Sequence, residues 1–200
     1  MTSPLVRPPI ILASRSPRRL ELLVEAGYPV RVVYPAESAE DGALPGEEPF
    51  EMVARLAYQK AADVATRVPS GLIVGCDTVV ECGGQILGKP DDENHARQIL
   101  KELRGRRHRV LSGLCLWEKA RRVAPLTRVA ETLLEMDRLS DEQIEEYLAS
   151  GKWEGKAGAF GYQDRLGWVR ILEGSESNVV GLPMELLEEM ILEVQGGRMK

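Results

Sequence analysis

The stretch LASRSPRRLELL, residues 12–23, sets Arg15, Arg18 and Arg19 inside five positions, where an apolar run gives way to helical spacing. Ser16 suits a helix cap and Pro17 the first helical position. Arg18 and Arg19 then fall at the second and third positions, beside the positive end of the helix dipole, where cations are mildly unfavourable. A bound anion resolves that conflict, because free N–H groups at a helix start and guanidinium forks together make a phosphate-binding arrangement. The plainer alternative is that the arginine side chains bend away into water. Successive helical residues point about 100° apart, so Arg18 and Arg19 are not expected to face one ligand.

Asp77, in IVGCDTVV, is the second group of interest. An ionised carboxylate in an apolar run is costly without partners, so it is either hydrogen-bonded in a turn or aimed from a strand end into a site with a cation. Lys89, between Gly88 and Pro90, sits on a short stiff segment able to point an ammonium at a phosphate. Residues 83–89 also match G-x-x-x-x-G-K, but Pro90 replaces the hydroxyl residue that a phosphate loop needs, and Ile86 and Leu87 read as strand. That match is set aside. In GKWEGKAGAFGYQ, Gly155, Gly158 and Gly161 with small alanines permit close backbone approach to a flat ligand, and Lys156 and Gln163 offer a cation and an amide. Taken alone, the fragment reads first as a glycine-rich turn. GSESNVVGLP reads as a loop before a helix, with Ser175, Ser177 and Asn178 as candidate donors.

These groups need a scaffold. Ile10–Ala13 reads as a short buried strand, followed by a helix to about Gly27. FEMVARLAYQKAADVAT places Val53, Ala57, Ala61 and Val64 on one helical face. GLIVGCDTVVECGGQILGKP holds two apolar runs around Asp77 and then a hairpin signal at Gly83 and Gly84. DDENHARQILKELRG predicts a helix with Ala96, Ile99, Leu100 and Leu103 inward and Gly105 as its stop. HRVLSGLCLWEK and PLTRVAETLLEMD predict two strands joined by a basic turn at Arg121 and Arg122. Ser140 and Gln143 have capping-box spacing, with Gly151 closing that helix. LGWVRILEG reads as a strand and PMELLEEMILEV as a closing helix. Interleaved strands and helices that fit neither a purely parallel nor a purely meandering order imply a mixed α/β sheet.

Composition narrows the partners. Twenty-six basic against 31 acidic residues give a formal net charge of −5, which argues against broad nucleic-acid binding and makes local basic clusters informative. Three cysteines without C-x2-C spacing argue against a disulfide framework or structural zinc and suit a reducing cytosol. The N-terminus shows no charged region before a long apolar stretch, and no apolar run nears 18 residues, so neither an export signal nor a membrane span is expected.

In order along residues 10 to about 194, the motifs LASRSPRRLELL, RLAYQKA, GCDTVV, LGKP, GKAGAFGYQ and GSESNVVGLP resemble the Maf family of nucleoside triphosphate pyrophosphatases. The resemblance implies an α/β fold with a mixed twisted sheet, flanking helices and two lobes around a nucleotide-binding cleft. Residues 10–195 would form that domain, between tails at 1–9 and 196–200. It also implies hydrolysis of a nucleoside triphosphate to the monophosphate plus pyrophosphate, assisted by a divalent cation, magnesium or manganese. By residue, it implies Asp77 as the proton acceptor that activates water, and Asp77 with Glu40 toward the metal. Arg18, Lys89, Ser14, Lys60 and Lys156 are implied to bind substrate. Thr78 and Gln163 resemble the branch acting on dTTP and UTP, with modified pyrimidine nucleotides as further substrates. A 7-methyl-GTP pyrophosphatase or a non-catalytic nucleotide-binding regulator of cell division are the alternatives. Against the family pattern, Ala39 and Gly155 stand where Asp is usual, and Ser112 where Thr is usual. The implied partner is a small-molecule nucleotide in the cytoplasm, with no nucleic acid or membrane, and a homodimer is the assembly to test. An amide such as Gln163 offers both a donor and an acceptor to the oxygen and N3–H of a pyrimidine.

Overall fold

The computed structural model describes residues 7–40, 42–120 and 124–196, Glu40 through its backbone only. The basic turn at Arg121 and Arg122 and most of both tails lie outside the described residues. Among the described residues seven strands, β1 (Ile10–Ala13), β2 (Val30–Val32), β3 (Leu72–Cys82), β4 (Gln85–Leu87), β5 (Arg107–Glu118), β6 (Leu126–Met136) and β7 (Val169–Glu173), form one sheet. Its order is β2-β1-β3-β5-β6-β7, with β4 pairing β3 off that path. β1 runs parallel to β2 and β3, and the remaining pairs are antiparallel. The mixed sheet that the sequence implies is therefore present.

Among the described residues six helices cover it: α1 (Pro17–Glu25), α2 (Pro49–Arg67), α3 (Glu93–Leu103), α4 (Asp141–Ala149), α5 (Glu176–Val180) and α6 (Met184–Gly196). Side chains alternate across a strand. Val74 and Cys76 of β3 pack with Leu23 of α1 and Leu187 of α6, while Val80 and Cys82 pack with Leu100 of α3 and Ile144 of α4. Ile73 and Val79 turn the other way, toward Ala57, Ala61 and Val53 of α2. A strand covered on both faces needs apolar residues on both, which removes the alternation that marks a half-exposed strand. This corrects the reading of Asp77 at a strand end or in a turn: β3 is one strand of 11 residues, and Asp77 sits inside it, opposite Gly113 of β5.

Two glycines set the height of α2 above the sheet. A Cβ on Gly75 would lie 2.2 Å from the Ala57 carbonyl oxygen, and one on Gly113 would lie 2.0 Å from that of Val53. Without those side chains the helix backbone rests directly on β3 and β5. On the opposite edge of β3, the ladder to β1 ends at Gly75 and the ladder to β4 starts at Val80. Residues 76–79 thus have no strand partner on that side among the described residues, while β5 stays paired on the other. The sheet has a gap four residues long beside Asp77. No helix among the described residues is long and apolar enough to cross a membrane.

Candidate functional site

A cleft of about 390 Å³ opens at this gap. Ser14, Arg18, Lys60, Asp77, Thr78, Lys89, Lys156 and Gln163 all border it, so eight of the nine residues implied by the family resemblance meet there. The ninth, Glu40, ends a 3₁₀ turn at Glu37–Glu40, and its side chain lies outside the described residues. Arg15, Arg18, Arg19, Lys60, Lys89 and Lys156 surround the cleft against two carboxylates, Asp77 and Glu154. An acidic chain has gathered positive charge at one place, which focuses its field on an anionic ligand.

The helix start is built differently from a side-chain cap. Ser16 holds the cap position and Pro17 the first turn, yet Ser16 makes no capping hydrogen bond. Its own N–H instead donates to Ser14 Oγ at 3.1 Å. Arg19 turns inward and is 8% exposed. Its guanidinium donates to Gly181 O at 2.7 Å, Cys76 O at 2.8 Å, Ser14 Oγ at 3.0 Å and Thr78 Oγ1 at 3.1 Å. Arg18 instead donates to Gly155 O at 3.2 Å. Burial, then the neighbouring Arg19, push the Arg18 pKa below its ordinary value, a cost that a bound anion offsets. Both arginines border the cleft, but consecutive helical positions about 100° apart give them different surroundings: Arg19 is turned into the protein with its guanidinium on four protein acceptors, while Arg18 has one carbonyl contact. Arg19 was visible in the sequence only as one of a cluster, since its four acceptors come from segments far apart in the chain.

Asp77 and Lys60 form the floor. Lys60 Nζ lies 2.7 Å from Asp77 Oδ1, with side-chain exposures of 7% and 15%. Lys60 can reach that carboxylate because α2 lies close on Gly75 and Gly113. Next to it, Thr78 Oγ1 is held by Arg19, by Ser112 Oγ at 2.8 Å and by Gly181 O at 3.2 Å. Thr78 therefore belongs to a fixed frame as well as to the cleft surface.

The far wall is the glycine-rich segment. Lys156 Nζ donates to both oxygens of Asp164, at 2.9 and 2.7 Å. Gly158 has a φ of +72°, and its N–H donates to Gly88 O at 3.0 Å, which ties this wall to the segment carrying Lys89. Ser175, Ser177 and Asn178 do not reach the cleft. Their stretch is the short helix α5 rather than a loop: Ser175 Oγ caps it by accepting from Asn178 N–H, and Ser177 donates to Glu185. Asn178, 1% exposed, donates to Val110 O and Thr132 Oγ1. Val179, Val180 and Gly181 are what this stretch presents to the cleft.

Among the described residues no three His, Cys, Asp or Glu groups lie together as a metal cage. The donors present suit a hard cation shared with a ligand, since magnesium is commonly held by one or two carboxylates plus phosphate oxygens and water. Fold and cleft together define a mixed α/β protein with a cationic pocket of small-ligand size. The model of the Maf-like protein family matches residues 9–194, and the chain belongs to that family. It is 51% identical over 183 residues to a dTTP/UTP pyrophosphatase of Rhodopirellula baltica, covering 91% of this chain and 80% of that one. It is 44% identical over 183 residues to a dTTP/UTP pyrophosphatase of Novosphingobium aromaticivorans, covering 88% of this chain and 87% of that one. A solved HAM1 protein from Coxiella burnetii shares the fold at a TM-score of 0.50 and 16% identity, covering 92% of this chain and 98% of its own.

Proposed function

We propose that this protein hydrolyses dTTP and UTP to the monophosphate and pyrophosphate, with the triphosphate lying across the gap in the sheet. The observation that carries the reading is the convergence of Arg18, Lys89 and Lys156 around a cleft whose floor is the Asp77–Lys60 pair. The names of the relatives at 44–51% identity support the same substrate class.

In this reading, Arg18, Lys89 and Lys156 hold the phosphate oxygens, with Ser14 beside them at the helix start. Asp77 accepts the proton of the attacking water, and Lys60 orients its carboxylate. The water oxygen bonds to the α-phosphorus as the α–β bridging P–O bond breaks, and pyrophosphate leaves with the electron pair. Charge grows on the bridging and equatorial oxygens, so the surrounding cations act by fixed electrostatic stabilisation and alignment. Asp77, joined by Glu40, would hold a magnesium or manganese ion, which when bound neutralises phosphate charge and acidifies water. Gln163 meets the pyrimidine edge with its amide, and Thr78, held by Arg19 and Ser112, shapes the pocket beside it. A cytosolic setting, where the nucleotide pool lies, belongs to the same reading.

The test is a panel of nucleoside triphosphates with magnesium, scoring pyrophosphate against orthophosphate. Pyrophosphate as the first product, fastest from dTTP and UTP, is the expected result. Orthophosphate first, or a preference for 7-methyl-GTP, overturns it.

A further inference from the structure

Gln163, the side chain assigned above to the base, is exposed, and its amide makes no hydrogen bond among the described residues. Its backbone is held much more firmly. Asp164, the next residue, has a carboxylate only 13% exposed that accepts both Lys156 contacts and, at 2.8 Å, the hydroxyl proton of Tyr147. The Tyr147 oxygen in turn accepts from Gly161 N–H at 3.2 Å, two residues before Gln163. Asp164 N–H donates to Gly161 O at 3.0 Å and Arg165 N–H to Tyr162 O at 3.2 Å, closing the turn around Gln163. Tyr147 itself is 4% exposed on α4 and packs edge-on against Trp168, so the network is anchored in the core. Gly161 leaves room for it: a Cβ there would lie 2.3 Å from Lys156 Nζ and 2.8 Å from Asp164 Oδ2.

We infer that Asp164 and Tyr147 are positioning residues that fix the turn carrying Gln163 and thereby set discrimination between nucleobases. The inference rests on the proposed role of Gln163. Asp164 grips the turn from both ends, through Lys156 at its start and through its own backbone at its finish. Tyr147 connects that grip to α4. An ammonium has three donors, and Asp164 takes two of those on Lys156. The same lysine can therefore stay in the network while facing the phosphates.

The reading is tested by a ratio. Every nucleoside triphosphate carries the same triphosphate, so a change of charge at Asp164 shifts kcat/KM for all of them together. Misplacement of Gln163 changes the ratio between bases. The ratio of kcat/KM for dTTP over dGTP is measured for wild type, Tyr147→Phe, Asp164→Asn and Gln163→Ala, with thermal unfolding recorded for each. Tyr147→Phe removes only a hydroxyl and keeps the packing, so it serves if Asp164→Asn does not fold. The expected result is a fall in the ratio of roughly ten-fold in each variant, the scale of one lost hydrogen-bond interaction. A ratio that holds in Tyr147→Phe while Gln163→Ala collapses it overturns the positioning role and leaves the proposed function standing. A ratio that survives Gln163→Ala overturns the base-reading role and this inference with it. Lower Tm with an unchanged ratio in Tyr147→Phe identifies a structural contact only, and counts against the inference.

Discussion

Lys60 descends from α2 to place its ammonium 2.7 Å from Oδ1 of Asp77, on the stretch of β3 that pairs with β5 on one edge and, among the described residues, has no strand on the other. The carboxylate is thereby aimed at the cleft and kept from swinging. Asp77→Asn preserves the shape but cannot take a proton from water. Turnover should drop by about 10²–10⁴-fold, while the affinity for dTTP, measured by calorimetry with EDTA present, stays within roughly three-fold. Undiminished pyrophosphate release would remove Asp77 from the mechanism.

Arg19 and Arg18 are adjacent, yet their substitutions should differ sharply. Arg19 satisfies two buried carbonyls and two hydroxyls with one planar fork, and a lysine ammonium cannot span that set. Arg19→Lys should lower stability by about 2–3 kcal/mol, as expected when buried acceptors lose partners. Arg18→Lys, with one carbonyl contact, should cost less than about 1 kcal/mol. Urea unfolding of both variants distinguishes them, and equal losses would refute the bracing role.

His108 makes the fold acid-sensitive. It is 2% exposed, its Nε2 has no hydrogen-bond partner among the described residues, and its ring meets Phe160 edge-on at 5.8 Å. Burial pushes its pKa down to about 4, against weaker pulls from the Arg106 carbonyl and Glu81. In the unfolded chain it titrates near 6.5. Between those values the unfolded state binds a proton that the folded state refuses, so stability falls as pH drops from 6.5 toward 4. The loss levels off below, at about 3 kcal/mol. Glu81 adds an acid-side loss of its own: burial alone would raise its pKa, but hydrogen bonds from Arg109 and the Gly84 N–H, with the neighbouring positive charge, together hold it below the ordinary value. His108→Phe should flatten the first component while leaving the second. Denaturant midpoints at pH 7, 5.5 and 4.5 for both proteins measure it, and identical slopes would count against the account.

Gly113→Ala should be among the most damaging single-methyl additions. The new Cβ would meet the Val53 backbone rather than a movable side chain, so α2 must lift off the sheet. A loss of about 3 kcal/mol or more is expected, together with weakened Lys60–Asp77 contact. Gly84→Ala has open space and should cost less, its φ of +86° being the sole penalty. Thermal unfolding of the pair checks the contrast.

Much of this architecture is legible in the amino-acid sequence alone. Helical faces showed at Val53, Ala57, Ala61 and Val64, and at Ala96, Ile99, Leu100 and Leu103, because local periodicity reports burial directly. The capping box at Ser140 and Gln143 formed as its spacing predicts. The residues that border the cleft are legible as a set of motifs, but their partners are not. Asp77 was misplaced to a strand end since a strand buried on both faces has no period to read. Arg19, Tyr147 and Asp164 act through contacts that span from 5 to 162 positions of chain, and the longer ones have no local pattern to encode them. The Ser175, Ser177 and Asn178 donors were misread because capping and core hydrogen bonds use the same residue types as ligand binding.

The four-residue opening in the sheet has a further consequence. β3 is zipped to β5 along its whole opposite margin, so the shelf beneath the opening is as hard to deform as the sheet's centre. A guest arriving there finds its floor already assembled and need not freeze a loose chain to obtain it.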